Sequence, residues 1–164
     1  MNKRFAASLL LLASVLILVL AVPAGAAADK NFRAHLSGGS EVPPVDTLAQ
    51  GQAVFQLSSD GTELSYRLIV ANIEDVLQAH IHMAPAGSNG PVVAWLYPAS
   101  PPPALIPGRF DGVLAVGTIT ASDLVGPLAG MTLDALLNAL EAGNAYVNVH
   151  TVDNPGGEVR GQIY

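Results

Sequence analysis

The stretch "YVNVHTVDNPGGEVRGQIY", residues 146–164, decides the fold because two short alternating runs flank a turn. Its valines alternate with polar residues, which is the period-two pattern of a strand with one face toward a core. The turn "NPGG" has Pro155 suited to position i+1 and Gly156 suited to position i+2 of a type II turn. The sequence therefore predicts an antiparallel hairpin formed by the two runs.

Parity constrains the register of this hairpin. Val149 and Ile163 must both face the core, so the numbers of paired residues must have an even sum. This requirement excludes a two-residue turn. It predicts that His150 lies opposite Arg160 or Gln162 on the polar face.

Most of the remaining chain shows the same short-strand pattern, interrupted by Gly, Pro and Asn. A hairpin is predicted around Ser59–Gly61, between two alternating runs. Seven or eight short strands with frequent turns predict an all-β fold, either a β-sandwich or a Greek-key barrel. The further predicted strands are 53–58, 63–70, 79–83, 92–97 and 110–120.

One segment has helical rather than strand periodicity. A leucine stripe at i, i+3, i+4 and i+7 predicts a short amphipathic helix near residues 133–142, with Thr132 as N-cap and Gly143 just past its end. The proline-rich segment 97–108 is predicted to be a loop. It is interpreted as a stiff crossover, with a polyproline recognition surface as the alternative.

The N-terminus has the organisation of a secretory signal peptide. Two basic residues precede the apolar run 5–22, and small residues follow it. Cleavage after Ala26 or Ala28 is expected, which leaves residues 29–164 as one domain. An uncleaved membrane anchor is the alternative. The signal predicts a secreted, periplasmic or cell-envelope location, with no membrane attachment after cleavage.

Charge and cysteine content exclude several classes of function. Residues 29–164 contain five basic and 13 acidic residues, a formal net charge of −8, which argues against nucleic acid and anionic lipid as partners. The chain has no cysteine. Thiol nucleophiles, cysteine-ligated zinc and iron–sulfur clusters are therefore excluded.

The four histidines include a His-x-His pair within "AHIHM", residues 79–83. His80 and His82 lie on one face of the predicted strand, about 6.6 Å apart along it. Their imidazoles can lean together, and His150 supplies a third ligand if the two strands adjoin. Three imidazoles with an open position suit Cu²⁺ or Zn²⁺, so a metal site is one interpretation of these histidines.

A structural interpretation of the same histidines stays open. Their nitrogens can hydrogen-bond to backbone carbonyls in the glycine-rich loops. Arg160 argues against a metal, because a fixed cation repels a dication unless Glu158 neutralises it. Around the histidines, Glu158, Arg160, Asn148 and Thr151 are predicted to form a polar binding face.

The motifs "LSGGSEVPPVDTLAQGQAVFQL", "AHIHMAPAGSNGPVV", "GTIT" and "YVNVHTVDNPGGEVRGQI" resemble the chordin-type (CHRD) domain, in the order of that family, across residues 32–164. His35 is not a position that the family is expected to fix. The family's recurring positions correspond here to Glu41, Pro43, Pro44, His80, His82, Gly90, Pro91, His150, Thr151, Asn154, Pro155, Gly156, Gly157, Glu158, Arg160 and Gly161.

The resemblance implies an extracellular, immunoglobulin-like all-β module that also occurs in exported bacterial proteins. It implies a non-catalytic binding module, with an extracellular protein as a possible partner. A weaker likeness to copper–zinc superoxide dismutase rests on the His-x-His strand, a Greek-key barrel and an arginine near the C-terminus. The chain lacks that family's cysteine pair and acidic zinc ligands. A copper redox protein and a purely structural or adhesive envelope protein are the alternatives.

Overall fold

The computed structural model describes residues 30–164, so the predicted signal peptide at 1–28 lies outside the described residues. The predicted all-β fold with one short helix is confirmed. No helix within residues 30–164 is long and apolar enough to cross a bilayer. The elements are β1 Asn31–Ser37, β2 Gln50–Leu57, β3 Leu64–His82, β4 Val92–Tyr97, β5 Ile106–Ile119, α1 Leu133–Glu141, β6 Tyr146–Thr151 and β7 Val159–Gln162.

The strands form a closed ring, with two further strands attached to its longest member. Antiparallel pairings join β1 to β2, β2 to β3, β3 to β6, β6 to β7 and β7 back to β1. Strands β4 and β5 both pair with β3 on the outside of this ring. Closure removes most of the unpaired sheet edges that would otherwise be open to association.

Strand β3 runs through the segment between two predicted strands, 63–70 and 79–83, so the prediction of two separate strands there is wrong. Apolar and polar residues do not alternate in the segment between them, because the strand bends there. Asn72 and Asp75 have left-handed φ angles of 56° and 49°, and the pairing register with β5 shifts around them. The bend lets one strand pair with β2 and β5 before it and with β4 and β6 after it.

One strand and one strand boundary also differ from the prediction. Strand β1 was not predicted, although its burial alternates at every residue. Strand β5 begins at Ile106, inside the segment predicted to be a loop. The helix is as predicted, although the Thr132 side chain makes no capping hydrogen bond, and Gly143 has the left-handed φ of 66° expected just past a helix end.

The hairpin of β6 and β7 is confirmed, with an even register and the turn at Asn154–Gly157. The Gly157 N–H donates to the Asn154 carbonyl at 3.0 Å, as in a β-turn. The predicted type II geometry is wrong, because Gly157 rather than Gly156 has the positive φ, at 128°. Inside the ring, the apolar side chains of β3, β6 and β7 form the core with those of the other strands and α1.

Candidate functional site

The outer face of β3, β6 and β7 carries polar and aromatic side chains in rows across the ladder. His80 lies directly opposite Asn148, which in turn lies opposite Arg160. The next row pairs His82 with Tyr146. Because directly opposite residues of an antiparallel ladder point to the same side, these five side chains share one face.

The predicted position of His150 opposite Arg160 or Gln162 is wrong. Arg160 pairs with Asn148, two residues before His150, while His150 lies opposite Gln78 of β3. The pairing is shifted by two residues from the prediction that placed His150 opposite Arg160, and a shift of two leaves each side chain on its predicted face. His150 nevertheless lies on the same face as the histidine pair, because it is two residues from Asn148 along a strand.

The three imidazoles converge. One nitrogen from each of His80, His82 and His150 lies within 4.8 Å of the other two. The closest approach is 3.2 Å, between His80 Nδ1 and His150 Nε2. His80 is 3% exposed and His150 is 6% exposed, whereas His82 is half-buried. The group therefore has one side nearer to solvent, at His82.

Backbone carbonyls fix the tautomers of two of these rings. The Nδ1 of His82 lies 2.9 Å from the Gly90 carbonyl oxygen, and the Nδ1 of His150 lies 3.0 Å from that of Pro155. A carbonyl oxygen only accepts, so each Nδ1 carries the proton and each Nε2 presents a lone pair. This is the arrangement by which metal-ligating histidines are usually oriented.

All three rings are held in the neutral form that ligates metals. Burial, together with the repulsion that a protonated His80 would meet from protonated His150 and His82, lowers the pKa of His80 to about 3. Burial lowers the pKa of His150 to about 4, although its hydrogen bond to Pro155 opposes the shift. The pKa of His82 is also lowered, mainly by burial. No proton therefore competes for these nitrogens near neutral pH.

Aromatic side chains enclose the imidazoles. The Trp95 ring packs edge-to-face against His80 with centroids 4.2 Å apart. Tyr146 stacks on His82 at 4.9 Å with an interplanar angle of 8°. The Arg160 guanidinium carbon lies 3.4 Å from the centroid of the Tyr146 ring, a cation–π contact.

Arg160 fixes the loop that contains Gly90. It is 1% exposed, and its nitrogens donate to Asn89 Oδ1 at 3.1 Å and to the Ser88 carbonyl at 2.7 Å. A longer contact of 3.4 Å reaches the Pro85 carbonyl. These acceptors hold the loop over the face, and the same loop carries the carbonyl that orients His82.

A metal site next to Arg160 was expected to need Glu158 as the anion that neutralises the arginine. Glu158 does not form that ion pair. The ion pairs found within residues 30–164 involve other side chains. Instead, Glu158 accepts hydrogen bonds of 2.7 Å from Thr151 Oγ1 and from Thr47 Oγ1. All four residues of the predicted binding face, Asn148, Thr151, Glu158 and Arg160, are buried, so they support the histidine group from below the surface.

Sequence reasoning did not place Glu41 in the site, although it lies in the "EVPP" motif. Glu41 is 5% exposed and accepts a 3.2 Å hydrogen bond from Asn148 Nδ2 through its Oε2. Burial raises the pKa of Glu41 to about 7, although the charge of Arg160 and the hydrogen bonds from Asn148 and Val42 lower it. Glu41 follows β1 and precedes β2, so only the tertiary fold brings it to this face.

The donor set fits a single small cation. Two nitrogens that each lie 2.1 Å from one tetrahedral ion are about 3.4 Å apart, so the observed limit of 4.8 Å requires the most distant pair to close by up to about 1.4 Å. His80 Nδ1, His82 Nε2 and His150 Nε2 would be the ligands. Three imidazoles with a remaining open position suit Zn²⁺ or Cu²⁺.

Comparison with known proteins identifies the family. The sequence profile of the CHRD domain matches residues 32–163, nearly the whole chain. No curated protein and no solved structure matches the chain significantly. CHRD domains are extracellular protein-binding modules that occur in secreted proteins, and the family is not one of enzymes. The match agrees with the motifs of the sequence, and this chain belongs to the CHRD domain family.

Proposed function

We propose that this protein is an exported, non-catalytic CHRD module that binds one Cu²⁺ or Zn²⁺ ion through His80, His82 and His150. The observation that carries the proposal is the convergence of three neutral imidazole nitrogens within 4.8 Å on a buried face. Export rests on the predicted signal peptide and on the secreted proteins in which the family occurs.

A purely structural role accounts less well for the hydrogen bonds of these rings. His82 and His150 donate to carbonyls, and His80 Nδ1 can donate to His150 Nε2. The Nε2 atoms of His80 and His82 then have no partner within residues 30–164. A buried polar atom without a partner costs about 1–3 kcal/mol, and a bound ion satisfies the one on His82.

The test is a titration of the metal-free, tag-free protein with Cu²⁺ and with Zn²⁺. Trp95 is the only tryptophan, so quenching of its fluorescence by Cu²⁺ reports on the adjacent His80. We expect one ion per chain at micromolar metal or below, with Cu²⁺ bound more tightly than Zn²⁺ as the Irving–Williams order requires. Calorimetry measures both ions directly.

Matched variants separate the site from adventitious binding. His82→Ala and His150→Ala are expected to weaken binding at least a hundredfold, whereas His35→Ala, an exposed histidine on β1, is expected to leave it unchanged. Absence of micromolar binding, or equal binding by His82→Ala and the parent protein, would overturn the proposal. A copper-loaded sample that accelerates superoxide decay would instead favour the redox alternative.

A further inference from the structure

Besides the histidine nitrogens, three side-chain oxygens in the described part of the chain are buried without a hydrogen-bond partner: Gln162 Oε1, Glu41 Oε1 and Asn148 Oδ1. The last two lie close together. Both oxygens lie next to the Cα of Gly157, on the side where a side chain would begin. A Cβ on Gly157 would lie 2.7 Å from Glu41 Oε1 and closer still to Asn148 Oδ1. The two oxygens therefore face a space that Gly157 closes and that has no room for an added methyl group.

A single proton satisfies both oxygens. Asn148 Nδ2 already donates to Glu41 Oε2 at 3.2 Å. If Oε1 of Glu41 carries a proton and donates to Asn148 Oδ1, the carboxylic acid and the amide form a cyclic pair with two hydrogen bonds. An ionised Glu41 would instead leave two acceptors facing each other in a buried place. Burial raises the pKa of Glu41 to about 7 even though Arg160 is nearby, which agrees with the protonated form.

The pair lies between a fixed cation and the proposed metal ligands. Asn148 has His80 directly opposite it on one side and Arg160 directly opposite it on the other. Arg160 donates to neutral oxygens only, so its charge is not paired with a carboxylate within 4.0 Å in the described residues. A dication at the histidines would add two positive charges to this face, where only an anion can offset them.

We propose that Glu41 is the proton-linked charge partner of the metal site: a neutral acid paired with Asn148 in the metal-free protein, and a carboxylate once a dication is bound. This inference rests on the proposed metal binding. One O–H bond breaks and one proton leaves to solvent for each ion bound, while the metal keeps its charge. The charged group that acts on Glu41 is Arg160 from β7, and the titratable groups beyond Asn148 are the histidines of β3 and β6.

The test compares metal affinity between pH 5.5 and 7.5 in three proteins: the parent, Glu41→Gln and the matched control Glu63→Gln, whose side chain is exposed at the β2–β3 hairpin. In the parent and the control, the dissociation constant is expected to rise about tenfold per pH unit below 7, because one proton is exchanged. In Glu41→Gln this tenfold step is lost. The histidine contribution is common to all three and cancels in the comparison.

Equal pH slopes in Glu41→Gln and the parent would overturn this inference while leaving metal binding intact. Absence of metal binding by the parent would overturn the proposed function and this inference together. Carbon-13 NMR of the glutamate side-chain carboxyls provides a second readout in the unsubstituted, metal-free protein. A Glu41 carboxyl that is protonated at pH 6 and ionises on metal addition supports the inference, and one already ionised at pH 5.5 overturns it.

Discussion

The two halves of β3 are alike on the face toward the core, where both are buried. They differ on the outer face, which is exposed to solvent in the first half and covered in the second. Leu68 in the first half and Ile81 in the second are both fully buried in the core. On the outer side, Arg67 is exposed to solvent, whereas His80 is almost completely buried. Each half is paired with an antiparallel strand on both sides, so pairing alone does not explain the difference, and we attribute it to the loops that cover the second half. Burial of polar groups there carries a cost, which the first half does not bear.

The largest expected effect contrasts two arginines on outer faces. Arg160→Ala leaves the acceptors of Ser88 and Asn89 without their donor, so we expect the free energy of unfolding to fall by about 3 kcal/mol or more. Arg67→Ala, on the exposed half, should change it by no more than about 0.5 kcal/mol. Urea unfolding of both variants measures the difference. Similar losses in the two variants would show that the covering loop contributes little.

The next effect contrasts two neighbouring glycines of the β6–β7 turn. Gly157→Ala places a methyl group against Asn148 and Glu41 at a left-handed φ, so a loss of about 2 kcal/mol or more is expected. Gly156→Ala meets nothing within 4 Å and should be tolerated within about 0.5 kcal/mol. Thermal unfolding distinguishes them, and a tolerated Gly157→Ala would show that the acid–amide pair is not tightly enclosed.

Acid should destabilise the covered half specifically. His80 and His150 have pKa values of about 3 and about 4 in the folded protein, below the ordinary value of 6.5. The unfolded chain therefore binds more protons, and stability present above pH 6.5 is lost as the pH falls toward 4, on the order of 2 kcal/mol.

Glu41 acts in the opposite direction. Because the pKa of Glu41 is raised to about 7, its contribution is complete below pH 4.5 and is lost as the pH rises through 7. The acid-induced loss should therefore be steeper in Glu41→Gln than in the parent, and unchanged in His35→Ala. Urea unfolding from pH 4 to pH 8 measures the free energy of unfolding of the three proteins. A free energy that stays constant as the pH is lowered from 6 to 4 would contradict the burial of neutral histidines.

The smallest expected effect concerns the loop that orients His82. Tyr146→Phe removes the hydroxyl oxygen that accepts from the Gly90 N–H at 3.2 Å, at a cost of about 1 kcal/mol. Metal affinity should fall a few-fold, because Gly90 also orients His82. Tyr97→Phe removes a comparable hydrogen bond, to Ala104, away from the site. Its metal affinity should be unchanged, and an equal decrease in both variants would exclude the role of Gly90.

Local patterns were sufficient to predict the strands that carry the ligands. Alternation placed His80 and His82 on one face, and the turn at 154–157 placed His150 on a hairpin. The sequence did not predict that this hairpin adjoins the strand of His80 and His82, which only the structure shows. The same method missed the bend of β3, because a strand that changes partners at Asn72 and Asp75 does not alternate there. It also missed β1, whose alternation was present in the sequence.

The covering residues could not be predicted in the same way. Glu41 is 107 positions from Asn148, and Asn89 is 71 positions from Arg160. No periodicity relates residues that far apart, since their contact depends on how the loops fold over the closed sheet. Burial of the polar face, and hence the lowered histidine pKa values, follows from those contacts rather than from the strands themselves.

Pulsed electron paramagnetic resonance of the protein loaded with one equivalent of Cu²⁺ tests the central claim most directly, because it counts the imidazoles bound to the ion. We expect couplings from three imidazoles in the parent and in His35→Ala, and from two in His150→Ala. Couplings from one imidazole or none in the parent, or a spectrum that His150→Ala leaves unchanged, would contradict the account.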